Sequence, residues 1–222
     1  MEIFLDTANT DEIKEILEWG IIKGVTTNQK IFLKEKGCNF EEQSKIILKM
    51  VEPYPVSLEG PNQLDELLKT ADEYNQWGKN VVIKVPMLPD GAGVKAAHIL
   101  EEQGIKTNVT AMMDLNQAFL AINAGASYAS LFFNRIRDSG GDPVEIVKQA
   151  KAVIDEGRYK TKLIVGSIRS PDNVAEIITT NTNVVTIPYK ILKQMPYHER
   201  TVSTLEEFDK AWEEFKSAEK TY

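Results

Sequence analysis

The hydrophobic positions of this chain follow two alternating patterns. Short apolar runs of four to six residues alternate with longer segments in which apolar residues recur every three or four positions. The short runs predict eight β-strands, at residues 3–6, 22–26, 56–59, 81–86, 107–111, 128–133, 163–167 and 184–188. Several of these runs are almost wholly apolar, which is typical of parallel strands covered on both faces.

The longer segments predict amphipathic helices between the strands. One helix ends at Gly78 and presents a single apolar face, formed by Leu64, Leu67, Leu68, Ala71, Tyr74 and Trp77. Another begins with Asp142 as its N-cap and Pro143 in its first turn, and it ends at Gly157. These start and stop signals predict that each strand is followed by a helix.

Eight strand and helix units in 222 residues fit a closed barrel better than an open, doubly wound sheet. No GxGxxG or Walker sequence follows a strand, which disfavours a nucleotide-binding fold. We therefore predict one α/β domain over residues 1–222, a single (β/α)8 TIM barrel. Its last segment, 203–222, is predicted to be a C-terminal helix whose apolar stripe packs on its own barrel or on a neighbouring subunit.

Composition narrows the classes of function. The chain has 26 Lys and Arg against 33 Asp and Glu, a net charge of −7, and no basic stripe, so nucleic acid is not an expected partner. One cysteine, Cys38, and two histidines are too few for a tetrahedral zinc site, and we expect no metal. A strand begins directly after Met1 and no run of 18 apolar residues occurs, so we expect a cytoplasmic protein that does not enter a membrane.

Polar side chains lie near the predicted carboxyl ends of nearly every strand. In a TIM barrel these ends meet around the active site. A single such residue is often only a helix cap or a turn residue. The full set is Asp6, Thr26, Asn28, Glu59, Lys84, Asn108, Thr110, Ser130, Asn134, Arg135, Ser167 and Arg169.

Lys84 stands within the apolar run VVIKVP, where burial of a charged amine is costly. Desolvation favours the neutral amine, which is the form that attacks a carbonyl carbon. Schiff-base chemistry also needs acid and base groups, and Asp6 and Glu59 are candidates on the first and third strands. The alternative interpretation is a buried ion pair between Lys84 and one of these carboxylates.

Arginines after the sixth and seventh strands indicate an anion site. Ser167 and Arg169 precede Ser170-Pro171, a sequence typical of a helix start, and their side chains and nearby backbone amides are suited to phosphate. Arg135 is the second candidate cation. His98 and His198 fall in a helical segment and a polar stretch, and we interpret both as structural or solvated residues.

The chain resembles the transaldolase family, and specifically its small subfamily that includes fructose-6-phosphate aldolase. The resemblance runs in the same order along almost the whole chain. Its segments are FLDTA at 4–8, GVTTN at 24–28, VSLE at 56–59, VIKVP at 82–86, GIKTNVT at 104–110, NQA at 116–118, AGA at 124–126, NRI at 134–136 and GSIRSP at 166–171.

The resemblance implies a class I aldol mechanism with no cofactor, in which Lys84 forms the Schiff base. It implies that Glu59 and Thr110 hold a proton-shuttling water and that Asp6 is the base for carbon–carbon cleavage. The implied substrate-binding residues are Thr26, Asn28, Asn108, Ser130 and Phe132 around the dihydroxyacetone unit, and Arg135, Ser167 and Arg169 around the phosphate. It also implies sugar-phosphate substrates in the pentose phosphate pathway and a homo-oligomer, either a pentamer or a decamer of two stacked pentamers.

Two positions favour group transfer over simple cleavage. The fructose-6-phosphate aldolases of the subfamily resemble this chain but have Gln at the position of Glu59 and Tyr at the position of Phe132. Phe132 has no hydroxyl to protonate the bound carbanion, so the resemblance implies a transaldolase. The chain departs from the family at Gln29 and Lys30, where Pro and then Ser or Thr are usual, and again at Met112 and Met113.

Three other functions stay open at this point. The first is a fructose-6-phosphate-aldolase-like enzyme that releases a free three-carbon ketone. The second is a transaldolase for a modified anionic sugar, which the departures beside the donor pocket suggest. The third is a non-catalytic barrel that binds a sugar phosphate, which the intact set of Asp6, Glu59 and Lys84 disfavours.

Overall fold

The computed structural model describes residues 1–219, and these residues form a closed barrel of eight parallel strands in sequential order. The prediction of a (β/α)8 TIM barrel is confirmed. The strands are β1 Glu2–Asp6, β2 Ile22–Thr26, β3 Val56–Glu59, β4 Val81–Pro86, β5 Thr107–Met112, β6 Tyr128–Phe132, β7 Lys162–Gly166 and β8 Val184–Pro188. Strand β8 pairs with β1 and so closes the barrel.

Helices connect the strands on the outside of the barrel. They are α1 Thr10–Glu18, α2 Gln29–Phe32, α3 Phe40–Val51, α4 Leu64–Asn75, α5 Ala92–Glu102, α6 Leu115–Asn123, α7 Phe133–Asp138, α8 Pro143–Glu156, α9 Pro171–Ile178, α10 Tyr189–Leu192 and α11 Glu199–Glu219. The predicted caps are confirmed for two helices. Asp142 accepts hydrogen bonds from the amides of Val144 and Glu145, and Ser170 accepts one from Asn173.

Four strands have the predicted bounds, and the other four differ by one residue at one or both ends. Strand β6 ends at Phe132 because Phe133 already begins α7. Strand β7 ends at Gly166 because Ser167 has a positive φ of 61°, which an extended strand does not accommodate. Strand ends are therefore set by backbone turns that hydrophobic periodicity does not indicate.

The bottom of the barrel is filled by side chains from the neighbouring strands β6, β7, β8 and β1. Phe4, Ile164 and Val184 form a buried cluster, and Tyr128 packs against it with its ring centroid 6.1 Å from that of Phe4. Gly24 faces Phe4 so closely that a Cβ there would lie 2.7 Å from the ring. The absence of a side chain at Gly24 thus leaves room for the Phe4 ring inside the barrel.

The C-terminal helix α11 begins four residues earlier than predicted, and the predicted positions 220–222 lie outside the described residues. None of its described residues is buried. The apolar stripe of Leu205, Phe208, Trp212 and Phe215 is exposed, with Phe208 63% accessible. This stripe is therefore not covered by the described part of its own barrel.

Candidate active site

Strand register brings the predicted catalytic side chains together. Glu59 of β3 is the register partner of Lys84 of β4, and Lys84 is the partner of Asn108 of β5. On the other side of the barrel, Asp6 of β1 is the register partner of Thr26 of β2. Parallel register places these residues at one level, at the carboxyl ends of their strands, where TIM barrels carry their active sites.

A cavity of about 150 Å³ lies at this level. All of the predicted site residues line it except Glu59, Asn134 and Arg169. Its lining consists of Asp6, Thr26, Asn28, Lys84, Asn108, Thr110, Ser130, Phe132, Arg135, Gly166, Ser167 and Thr186. The cavity walls are mainly hydroxyl, amide and charged groups, which suits a polyhydroxylated ligand better than an apolar one.

Lys84 is buried, with its side chain 7% exposed. Its Nζ donates a hydrogen bond to the carbonyl oxygen of Thr27 at 2.9 Å and lies 3.5 Å from Oε2 of Glu59. The contact with Glu59 is an ion pair without a short hydrogen bond. The sequence left two interpretations of Lys84 open, a Schiff-base lysine and a buried ion pair. The structure contains the ion pair, and Lys84 also lines the cavity.

Asp6 lines the same cavity as Lys84. Its Oδ1 accepts a hydrogen bond from the Thr26 hydroxyl at 2.7 Å, and that hydroxyl lies 2.5 Å from the hydroxyl of Thr186. Desolvation by burial raises the pKa of Asp6, although Lys84, the Thr26 hydrogen bond and Lys34 each act to lower it. A carboxylate with a raised pKa is a stronger base when ionised, as proton abstraction requires.

Amide and hydroxyl groups continue the polar layer around β5 and β6. Asn108 donates from Nδ2 to the Ser57 hydroxyl at 3.2 Å and accepts from the Ser130 hydroxyl at 2.7 Å. The Thr110 hydroxyl is buried and has no hydrogen-bond partner within residues 1–219. An unpaired buried hydroxyl is costly, so Thr110 is the polar group of this layer with the most to gain from a bound partner.

Helix α7, which follows β6, and the loop after β7 form the cationic end of the cavity. The Arg135 guanidinium lies 5.0 Å above the ring of Phe132. The strained backbone at Ser167 is held by Asn134, which donates from Nδ2 to the Ser167 carbonyl at 2.8 Å and to Oδ1 of Asn173 at 2.7 Å. Positive φ at a non-glycine residue costs energy and often marks a functional turn.

Arg169 is placed differently from Arg135. Both of its terminal nitrogens donate to Asp138, at 2.9 and 2.5 Å, and its side chain is exposed. The hydrogen bond from Arg169 is the main reason that the pKa of Asp138 is lowered. Arg169 lines a neighbouring cavity of about 510 Å³, which also includes Asp6 and Lys34. The structure therefore puts Arg169 beside the predicted site without bringing its guanidinium into the 150 Å³ cavity.

Sequence reasoning missed Thr186, Gly166 and the Thr27 carbonyl. Thr186 is a lone polar residue in the apolar strand VVTIP, the same signal that identified Lys84. Gly166 gives the cavity room, since a Cβ there would lie 3.2 Å from Cγ2 of Thr186. The Thr27 carbonyl carries no sequence signal because every residue has one. His98 and His198 do not line the cavity.

No group of three or more His, Cys, Asp or Glu side chains in residues 1–219 is arranged to hold a metal ion. None of the helices described is both long and apolar enough to cross a membrane.

The amino-acid sequence is similar to those of known proteins. The profile of the family described as transaldolase/fructose-6-phosphate aldolase matches residues 3–221. A probable transaldolase of Alkaliphilus metalliredigens is 42% identical over 214 residues, which cover 96% of this chain and 98% of that protein. A probable transaldolase of Aquifex aeolicus is 40% identical over 96% of this chain and 97% of its own length. A probable transaldolase of Lactiplantibacillus plantarum is 37% identical over 99% of this chain and 100% of its own length. The chain therefore belongs to the transaldolase/fructose-6-phosphate aldolase family.

Proposed function

We propose that the protein is a transaldolase, which moves a dihydroxyacetone unit from a ketose phosphate to an aldose phosphate through a Schiff base on Lys84. The observation that carries the proposal is a buried amine that faces a polar cavity. Lys84 Nζ lies 3.5 Å from Glu59, and Asp6 lines the same cavity as Lys84. This arrangement provides one nucleophile and two carboxylates, which is the set of groups that imine formation and aldol cleavage require.

The first step joins the amine of Lys84 to C2 of the ketose. The C2 oxygen leaves as water with one proton from the amine and one from an acid, which leaves a protonated imine, and the reverse addition of water releases the ketone. Glu59 is the group that exchanges protons with this oxygen, because its carboxylate is the one within 4 Å of Nζ. The unpaired Thr110 hydroxyl provides a hydrogen bond for the same water.

The second step breaks the C3–C4 bond. Asp6 takes the proton of the C4 hydroxyl, the C4–O electron pair forms the aldehyde carbonyl, and the C3–C4 pair is delocalised into the imine as an enamine. Addition of a new aldehyde reverses these movements. The raised pKa of Asp6 supports this role, since the group must hold the proton until the acceptor aldehyde takes it up.

The remaining side chains hold the sugar. Asn28, Asn108 and Ser130 face the cavity and are assigned to the hydroxyls of the dihydroxyacetone unit, with Thr26 holding Asp6. Arg135 and Ser167 are assigned to the phosphate, because both line the cavity and the Arg135 guanidinium forms no ion pair within 4 Å among residues 1–219. We assign Arg169 to the phosphate as well. In this role its guanidinium would release Asp138 and bind the phosphate instead.

Transfer is favoured over release because of the side chain at position 132. Phe132 lines the cavity and offers no proton to the enamine carbon. The three-carbon unit then stays on Lys84 until an aldehyde arrives. The alternative, an aldolase that releases dihydroxyacetone, uses the same residues and differs only in this last step.

We further propose that the chain is one barrel domain whose α11 packs on a neighbouring subunit of a homo-oligomer, a pentamer or decamer. Support comes from the exposed stripe on α11, of which Trp212 is 56% accessible. Large apolar side chains aligned on one helix face are typical of an interaction surface. We also propose that the enzyme acts in the pentose phosphate pathway in the cytoplasm.

Product analysis tests the proposed reaction. Fructose 6-phosphate alone is expected to give little free dihydroxyacetone, and addition of erythrose 4-phosphate is expected to give sedoheptulose 7-phosphate. Rapid release of dihydroxyacetone without an acceptor would establish the aldolase alternative. No product from any ketose phosphate would leave only a binding function.

A further inference from the structure

Asp6, Thr26 and Thr186 form a continuous hydrogen-bonded row in the wall of the cavity. The Thr26 hydroxyl lies 2.7 Å from Oδ1 of Asp6 and 2.5 Å from the hydroxyl of Thr186. The three residues come from β1, β2 and β8, and all of them line the 150 Å³ cavity. The proposed function uses Asp6 and Thr26 and leaves Thr186 without a role.

The direction of hydrogen-bond donation in this row follows from the charge on Asp6. An ionised carboxylate only accepts hydrogen bonds, and a threonine hydroxyl has a single proton to donate. The proton of Thr26 therefore points to Asp6, and the Thr26 oxygen accepts the proton of Thr186. Whenever Asp6 is ionised and able to act as a base, donation runs from Thr186 to Thr26 and from Thr26 to Asp6.

Packing fixes the direction of the Thr186 hydroxyl. Thr186 is buried, and its methyl carbon Cγ2 lies beside Gly166 of β7, where an added Cβ would be only 3.2 Å from it. The methyl and the hydroxyl share one Cβ, so the position of the methyl also fixes the hydroxyl toward Thr26. Within residues 1–219 this hydroxyl makes no other hydrogen bond. Thr186 is therefore held as a hydrogen-bond donor for Thr26.

The row distinguishes the two carboxylate oxygens of Asp6. Oδ1 accepts the hydrogen bond from Thr26, whereas Oδ2 accepts none from the described residues 1–219. A hydroxyl that itself accepts a hydrogen bond is a stronger donor, because hydrogen bonds in a chain polarise one another. The two threonines therefore hold Oδ1 and leave Oδ2 as the oxygen that can take a proton from a ligand.

We propose that Thr186 is a positioning residue for carbon–carbon cleavage, which holds the Thr26 proton on Oδ1 of Asp6 and so presents Oδ2 to the C4 hydroxyl of the ketose. This proposal rests on the Schiff-base function proposed above. In the cleavage step Oδ2 takes the C4 hydroxyl proton, the C4–O electron pair forms the aldehyde, and the C3–C4 pair passes into the protonated imine. Thr186 acts through Thr26 and is not assigned to the sugar.

The test uses Thr186→Val, because valine keeps the branched shape of threonine and lacks the hydroxyl. Thr186→Ser is the first control, since it keeps the hydroxyl. Thr182→Val is the second, since it removes a buried hydroxyl that donates to the Leu163 carbonyl at 3.0 Å and lies outside the cavity. Each protein is mixed with fructose 6-phosphate and reduced with borohydride at intervals. Intact-protein mass spectrometry then counts the six-carbon adduct that precedes cleavage and the three-carbon adduct that follows it.

We expect Thr186→Val to form the six-carbon adduct at the wild-type rate and to convert it to the three-carbon adduct about fivefold more slowly at pH 7, the size expected from loss of one neutral hydrogen bond. The pH of half-maximal conversion should also rise. The Thr26 hydrogen bond lowers the pKa of Asp6, as do the charges of Lys84 and Lys34, and the substitution weakens only the hydrogen bond. Both control variants should match wild type in rate and in this pH.

Four results would overturn the role of Thr186 while leaving the Schiff base in place. They are unchanged conversion in Thr186→Val, an unchanged pH of half-maximal conversion, equal slowing in Thr186→Ser, and slower formation of the six-carbon adduct as the main defect, which would mean that Thr186 binds the sugar directly. If Thr186→Val does not fold, Thr186→Ala must show the same slowing and the same rise in pH. A wild-type protein that forms no adduct would refute the Schiff-base function itself, and the role of Thr186 with it.

Discussion

Replacement of Thr110 by valine tests the assignment of this residue through two effects of opposite sign. The Thr110 hydroxyl is buried and makes no hydrogen bond within the described chain, while its backbone lies in β5. Valine keeps the branched shape and fits a strand equally well. Burial of an unpaired hydroxyl costs about 1–3 kcal/mol, so Thr110→Val is expected to stabilise the ligand-free protein by about 1 kcal/mol or more.

The same substitution should slow the reaction. If the hydroxyl binds the water that imine formation releases, its loss removes one hydrogen bond from that step. We expect imine formation with dihydroxyacetone to slow by about tenfold, which corresponds to about 1.4 kcal/mol. Urea unfolding without ligand gives the change in stability, and borohydride trapping at timed intervals gives the change in rate.

Thr161→Val is the matched control for stability. Thr161 is also buried, but its hydroxyl donates to the Ala126 carbonyl at 2.7 Å and lies outside the 150 Å³ cavity. This substitution should destabilise the protein by about 0.5–1.5 kcal/mol and leave the rate unchanged. A destabilised Thr110→Val protein, or one with an unchanged rate of imine formation, would refute the role given to Thr110.

Three other substitutions test the remaining groups of the site. Asp6→Asn should lower cleavage of fructose 6-phosphate by about 10²- to 10⁴-fold while the imine with dihydroxyacetone still forms, as trapping would show. Burial raises the pKa of Asp6 in the folded protein, so ionisation of Asp6 opposes folding at pH values above its ordinary pKa of 3.8. The Asp6→Asn protein should therefore have a higher Tm than wild type at pH 7. This difference in Tm should disappear as the pH falls toward 3.8. Glu59→Gln should slow imine formation and hydrolysis by about 10²-fold, and equal rates in stopped-flow trapping would remove Glu59 from proton transfer. Arg135→Met should raise KM for phosphorylated aldehydes by about tenfold or more and leave KM for unphosphorylated aldehydes unchanged. The control is Arg137→Met, which should behave as wild type because the Arg137 guanidinium pairs with Glu176.

The barrel was predictable because local signals agree with the global fold. The apolar run of β4 is buried at every position, as its composition indicates, and the Asp142-Pro143 start of α8 forms the predicted cap. The convergence of the candidate side chains on one cavity was predictable for a related reason. Parallel strands in a barrel bring their carboxyl ends together. Polar residues at these ends are therefore expected to lie close to Lys84 once the fold is known, whether they precede or follow it in sequence.

Features that depend on side-chain partners were not predictable. Nothing near Arg169 in sequence indicates that Asp138, 31 residues earlier, holds its guanidinium. Thr186 was missed because a threonine in a strand is ordinary unless its direction into the barrel is known. Ser167 has a positive φ and accepts a hydrogen bond at its carbonyl from Asn134 of α7, a contact between residues 33 positions apart.

The central claim is that Lys84 carries the substrate as a Schiff base, and borohydride trapping tests it most directly. The protein is incubated with fructose 6-phosphate, reduced, and examined by intact mass and by peptide mapping. We predict a single three-carbon adduct on Lys84, because this lysine is buried, faces the polar cavity and lies beside Glu59. An adduct on Lys30, Lys95 or Lys190, or no adduct with any ketose phosphate, would contradict the account.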